Sequence, residues 1–305
     1  MLKRRTLIKG ALGSIIILGR NLPAYPQSGI SSFEFSPGFY LIQGSGCNVV
    51  LADLADELVL IDGGLPESAS GLLNEIQMLA PAKRISSLFN SNWRPEHCGL
   101  NYHLADNTTI IAHENTRLWQ GADPYVEWEH KQYQPMPLDA QANHGFYTGS
   151  SLQLEGETLI YEHLPKAHTD GDIYLHFKAA DILVVSDLLA VNSFPLIDYS
   201  TGGWIRGLRD ATQTLLDISS DNTQIVASQG SILARHDLIE QHALLESAWQ
   251  AVVLAFQNGL SLYEFQETNP MQNYVAERGD PTLFLQQVFR SAWYHISERT
   301  IPNVI

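Results

Sequence analysis

Two kinds of apolar spacing alternate along the chain. Residues 28–62 carry two runs, FEFSPGFYLIQ and CNVVLADLADELVLID, in which apolar positions alternate or cluster around turn signals at Pro37-Gly38 and Ala55-Asp56. That pattern predicts a β-meander. From Pro66 to Ala80 a proline stands near the start, and Leu72, Leu73, Ile76 and Leu79 follow at helical spacing. The same two criteria predict strands at 85–89, 109–112, 158–164, 173–177, 182–186 and 224–227, and helices at 99–105, 203–218, 235–258 and 281–295. The clearest helix is 203–218, whose Trp204, Leu208, Ala211, Leu215 and Leu216 share one face. Residues 119–149 break the pattern, because aromatic, proline and polar residues follow one another there with little periodicity. A long loop of this kind is more often functional than idle, so a lid or substrate-facing segment is expected, with a surface insertion as the alternative.

The first twenty residues stand apart. MLKRRTLIKG supplies Lys3, Arg4, Arg5 and Lys9 ahead of an apolar run from Leu12 to Leu18. The run is short for a membrane span, so residues 1–27 read as an export signal, and the paired arginines resemble a twin-arginine signal. A periplasmic protein is the expectation. Five of the 18 basic residues and none of the 33 acidic ones lie in residues 1–20, which leaves the remainder strongly acidic. Such a surface repels nucleic acid and anionic membranes, and the partner expected is a small-molecule substrate or ligand. The two cysteines, Cys47 and Cys98, form no CxxC pair, and in an oxidising compartment a disulfide between them is one outcome and free thiols the other.

Candidate chemistry gathers at the ends of the expected strands. Asn90 to Asn101, NSNWRPEHCGLN, follows the apolar run 85–89 and opens a helix, the place where α/β proteins put polar working groups. Asp62 ends the run Leu60-Ile61-Asp62-Gly63-Gly64, His168 and Asp170 sit in AHTDGDIYLHF, Asp187 ends ILVVSD, and Gln229 follows the strand 224–227. The NSNWRPEHCG frame resembles the metal-binding loop of the metallo-β-lactamase superfamily, T-H-x-H-x-D-H-x-G, with Asn92 and Arg94 in place of two histidines and Glu96 in place of the aspartate. The resemblance runs from about residue 34 to 240. It implies an αββα four-layer sandwich (α/β in class, with mixed sheets) over 28–240, carrying a helical extension over 241–305.

In that family a full site holds two zinc ions, and the resemblance assigns positions to each. The first ion would meet Asn92, Arg94 and His168. An amide is a poor zinc ligand and a guanidinium is none, so a second metal of the family's pair is not expected. The other ion would meet Glu96, His97, Asp187 and Gln229, a set suited to one zinc, manganese or iron ion. One scheme is therefore an exported hydrolase with at most one divalent metal activating water for attack on an ester, thioester or amide, with His168 as acid or base. The competing scheme is a metal-free ligand-binding protein, or a hydrolase using Arg94 as its electrophile, in which Arg94 faces Glu96 and Asp187 and replaces the metal. Asp62 would brace the loop, Asn92, Cys98 and Asp170 would lie beside the site, and His130 and His144 of the long loop are candidates to reach it. The remaining histidines, His113 among them, read as structural or surface residues.

Overall fold

The computed structural model describes residues 29–55 and 57–300, with side chains described as far as residue 295. The expected export signal lies outside the described residues. Two sheets face each other. The first has seven strands in the spatial order Ser31–Ser36, Phe39–Gln43, Val49–Leu54, Glu57–Ile61, Ile85–Phe89, Thr109–His113 and His144–Phe146. Its first four strands pair antiparallel as a meander, and the last three add in parallel. The second sheet orders Gly149–Leu154, Glu157–His163, Ile173–Phe177, Ile182–Ser186 and Gln224–Ala227, with only the last pair parallel.

The strand Glu57–Ile61 shows why the sheets are covered on both sides. Val59 and Ile61 point into the core between the sheets, against residues such as Leu175 and Phe177. Leu58 and Leu60 point the other way, towards Leu72 and Ile76 of the helix Ala69–Leu79. An uninterrupted apolar strand is what a sheet buried on both faces requires. On the far side of the second sheet, Leu208 and Leu215 of the helix Ile205–Ile218 pack with Leu183 and Val185. The helices Arg235–Gln257 and Thr282–Thr300 join the same core through Leu245, Val252, Phe284 and Val288. The result is the αββα sandwich with C-terminal helices. The helix Arg235–Gln257 runs through residue 240 without a break, and Leu238 and Leu244 share one core.

Two local expectations are corrected. Residues 99–105 do not form one helix, because Pro95–Cys98 and Asn101–Leu104 are separate turns. The amides of Gly99 and Leu100 donate to the carbonyls of Gly64 and Gly63, at 2.8 and 3.1 Å. A Cβ at Gly99 would lie 2.4 Å from the Gly64 carbonyl, so this backbone docking requires glycine. Residues 119–149 also hold more order than a loop, including a two-stranded ribbon of Tyr125–Val126 and Lys131–Gln132.

Candidate functional site

The site lies where strand ends of the two sheets meet. Asp62 follows the strand Glu57–Ile61 with a left-handed backbone, φ 66°. Its Oδ1 accepts from the Ser91 amide at 2.8 Å, and its Oδ2 accepts from the hydroxyls of Ser91 at 2.9 Å and Ser186 at 2.7 Å. Ser186 ends a strand of the other sheet and is itself left-handed, φ 45°. One carboxylate thus joins the two sheets and the loop after Phe89.

His97 is wholly buried beside it. Its Nδ1 lies 2.9 Å from Asp62 Oδ2, and its Nε2 lies 2.7 Å from Asp187 Oδ2. Burial opposes a charge on the ring, but Asp62 and Asp187 outweigh it and hold the pKa well above the usual imidazole value. Burial likewise opposes the Asp187 charge, and His97 overcomes it, holding that carboxyl well below the usual range. Each group thus favours the charged form of the other. Asp187 Oδ2 also accepts from Asn92 Nδ2 at 3.0 Å, while Asn92 Oδ1 accepts from the Arg94 amide.

Arg94 is the second buried cation. Its Nε lies 3.2 Å from Glu96, its Nη2 contacts Glu129, and its Nη1 lies 3.5 Å from Asp198. The rings of Trp93, Trp128 and Tyr133 surround the guanidinium at 5.5–5.7 Å from centroid to Cζ. Against strong desolvation, these carboxylates keep Arg94 charged. The expectation that Arg94 faces Asp187 is corrected, since the aspartate is taken by His97 and Asn92. The 119–149 segment supplies Glu129, Trp128 and Tyr133, and so forms a wall that grips Arg94.

His168 closes the cluster from the second sheet. Its Nδ1 lies 3.0 Å from the Leu196 carbonyl and so donates to it. Its Nε2 is buried without a hydrogen-bond partner, 3.8 Å from Asp187 Oδ2. A Cβ at Gly203 would meet the His168 carbonyl at 2.1 Å, which fixes glycine there. Beyond these groups opens a cavity of about 270 Å³, bordered by Arg94, Glu96, His168, Asp187, Ser228 and Gln229 on its polar side. Leu189, Val191, Phe194 and Leu196 make its apolar side.

The other candidate residues are placed as follows. Gln229 is exposed and donates to the Gly46 carbonyl at 2.8 Å. Asp170 accepts from Trp119 Nε1 at 2.7 Å, and burial raises its pKa. Cys98 contacts the Asn92 carbonyl and accepts from Gln120, and Cys47 donates to the Glu96 carbonyl at 2.9 Å. Both thiols are free, and burial pushes them up to about 12 and about 11. His130 and His144 are exposed and lie outside the cavity lining. His113 stacks on His163 with centroids 3.6 Å apart and is tied to the Tyr147 carbonyl. Sequence patterns gave no signal for Glu129, Asp198, Ser91 or Ser186, whose partners lie far along the chain.

The donor set does not fit the family's two-metal centre. Arg94 and Asn92 occupy ligand positions of the first ion. At the second, His97 has a carboxylate on each ring nitrogen, Glu96 is paired to Arg94, and Gln229 turns to Gly46. Another potential set among the described residues is Cys47, Asp62 and His97, whose donor atoms lie within 4.8 Å of one another. All three are buried, and the thiol holds its proton at neutral pH.

Among solved structures, the chain is similar to a metallo-β-lactamase from Pontibacter korlensis, at 15% identity and TM-score 0.57 over 71% of this chain and 99% of that one. A Cronobacter sakazakii metallo-β-lactamase with a HARLDQ motif aligns at 19% identity and TM-score 0.60, over 75% and 96%. The sec-alkylsulfatase Pisa1 from Pseudomonas sp. aligns at 14% identity and TM-score 0.66, over 90% of this chain and 52% of that one. At these identities the likeness shows the fold. No functionally curated protein matches. The family model of the metallo-beta-lactamase superfamily matches residues 42–227, more than half of the chain, and the protein belongs to that superfamily.

Proposed function

We propose that this protein binds a small molecule in the cavity over Asp187 without a metal ion, with Arg94 and protonated His97 standing where its relatives' motif places metal ligands. The observation that carries this reading is His97. With Asp62 2.9 Å and Ser91 Oγ 3.2 Å from one ring nitrogen and Asp187 2.7 Å from the other, both nitrogens are already engaged by protein groups. Arg94 supports it, since three carboxylates and three aromatic rings hold its charge in place. The hydrolase-like fold then provides a shaped cavity, and the cations fix the loop that a metal would otherwise organise.

The test is metal content by plasma mass spectrometry on protein purified without chelator or metal resin, together with melting temperature on adding zinc, manganese or iron(II). Substoichiometric metal and no gain in melting temperature are expected. One equivalent of a divalent ion, lost in Asp187→Asn, would sink the proposal. A second reading keeps one ion on Cys47, Asp62 and His97, favoured by the convergence of their donor atoms. That site would support a hydrolase acting on an ester, thioester or amide, and it predicts one equivalent of metal that disappears in Cys47→Ala. We further infer export by the twin-arginine route, supported by Arg4-Arg5 and the apolar run Leu12 to Leu18. A reporter fused after residue 27 tests it, and export that persists in cells lacking that pathway would refute it.

A further inference from the structure

We infer that the stacked imidazoles of His113 and His163 form an acid-sensitive clamp on the turn 164–172, which carries His168 to the edge of the cavity. The inference concerns the wall of the cavity and stands apart from what the cavity holds. His113 ends a strand of the first sheet and His163 ends a strand of the second. Their rings lie face to face, 3.6 Å between centroids and 12° from parallel. The neutral state of His113 follows from its partners. Its Nδ1 accepts from the Asn115 amide at 3.2 Å and so caps the helix Glu114–Gln120. The ring proton is therefore on Nε2, which donates to the Tyr147 carbonyl at 3.0 Å. A second proton would set one N–H against another, break the cap and place a charge on a residue only 3% exposed.

The capped helix is also what the turn rests on. The Asp170 carbonyl accepts from His163 Nε2 at 2.8 Å and from Asn115 Nδ2 at 2.9 Å. The Gly171 carbonyl accepts from Thr116 Oγ1 at 2.8 Å, and Asp170 Oδ1 accepts from Trp119 Nε1 at 2.7 Å. Acid acts on this junction with a defined sign. Burial lowers the pKa of both rings, that of His163 to about 4, so each takes a proton more readily once the stack has opened. The closed turn is favoured above the usual imidazole value of about 6.5 and loses ground as the pH falls below it. The charged groups around the pair are Asp170 and Glu114, with Arg117 paired to Glu114 and Lys166 near Asp170. Phe146 meets His113 edge-on and adds no charge. Burial moves the carboxyls of Asp170 and Asp172 upward, that of Asp172 to about 6. Their protonation favours the closed turn and so works against the opening, not for it.

Hydrogen exchange of the full folded protein tests the clamp, read by mass spectrometry on peptides covering 164–172 and corrected for the intrinsic effect of pH. The comparison is with a double variant, His113→Asn with His163→Gln. Its asparagine still caps the helix, its glutamine amide can still reach the Asp170 carbonyl, and neither side chain titrates. From pH 7.5 to pH 5, exchange in the native turn is expected to rise about tenfold relative to the variant. A relative rise of less than about threefold, or a fall, would overturn the inference. If the double variant fails to fold, the ring nitrogens of the native protein decide by nuclear magnetic resonance. Both rings are expected to be neutral at pH 7.5 with the proton on Nε2, and to reach half protonation below the usual value of about 6.5. Either ring half protonated at or above that value would overturn the inference as well.

Discussion

Removing the His97 side chain separates a metal-ligand role from a structural cation most cleanly. In His97→Ala the carboxylates of Asp62 and Asp187 lose the group that sits 2.9 and 2.7 Å from them, in a site where the ring is wholly buried. Taking away one partner of a buried ion pair costs about 3–5 kcal/mol, because the remaining charge is left uncompensated. For a domain of this size each kcal/mol lowers the melting temperature by about 2–4 °C, so a fall of about 10 °C is expected at pH 7. The variant is also expected to recover part of the loss as the pH is lowered to 5, where a carboxylate without its cation takes up a proton. Thermal melts followed by circular dichroism at both pH values, with and without EDTA, measure this. A variant that melts within about 1 °C of the native protein would refute the structural role. So would a native protein that loses as much stability to EDTA as to the substitution, for then the ring would be holding a metal.

Further outcomes concern the same cluster. Arg94→Met strands Glu129 and Asp198 in buried positions and is expected to cost about 3–5 kcal/mol in urea unfolding, with Arg94→Lys costing less; equal stability of both variants to the native protein would count against the cage. The pH profile of stability has a defined sign. His97, raised above its usual 6.5, contributes fully below that value, and its contribution is lost as pH rises through the folded pKa. Asp187, depressed below its usual 3.8, contributes fully above that value, and its contribution is lost as pH falls through the folded pKa. Guanidinium unfolding from pH 3 to 9 is therefore expected to show a maximum between about 4 and 6.5 from this pair, and a profile still rising at pH 8 would contradict it. Cys47 and Cys98 are expected to resist Ellman's reagent in the folded protein and to titrate as two thiols after unfolding in non-reducing denaturant; none appearing would reveal a disulfide.

The sandwich was legible because burial on both faces leaves a plain mark in sequence, as in the unbroken apolar run Leu58–Ile61. The positions of Asp62, His97, His168 and Asp187 were legible for a related reason: each lies at or just beyond the end of a strand or in a turn that apolar runs delimit. What they bond to was not legible. Arg94 was expected against Glu96 and Asp187; the Glu96 contact is present, but its other partners come from Glu129, 35 residues on, and from Asp198, on a different element. An ion pair of that span leaves no periodic signal, and residues 119–149 carry too little periodicity to announce a wall. The chain's Asn92 and Arg94 were read as losses from a metal site. The structure adds what replaced it, a hydrogen-bonded lattice in which each polar substitution has an acceptor or donor of its own.

At the seam between the sheets, Asp62 and Ser186 both hold backbones that favour glycine, at φ 66° and 45°. Each such conformation costs an ordinary residue about 1–2 kcal/mol, and the 2.7 Å bond between the two side chains keeps both in place. Alanine at position 62 would lose the bonds and retain the strain, whereas glycine would lose the bonds and release it. At this position glycine is expected to be the gentler substitution by about 1 kcal/mol, the reverse of the usual order, and an Asp62→Ala protein that outlasts Asp62→Gly in urea would mean the turn is relaxed. The seam is thus a latch closed under tension, and part of what its bonds supply goes to holding its own backbone bent.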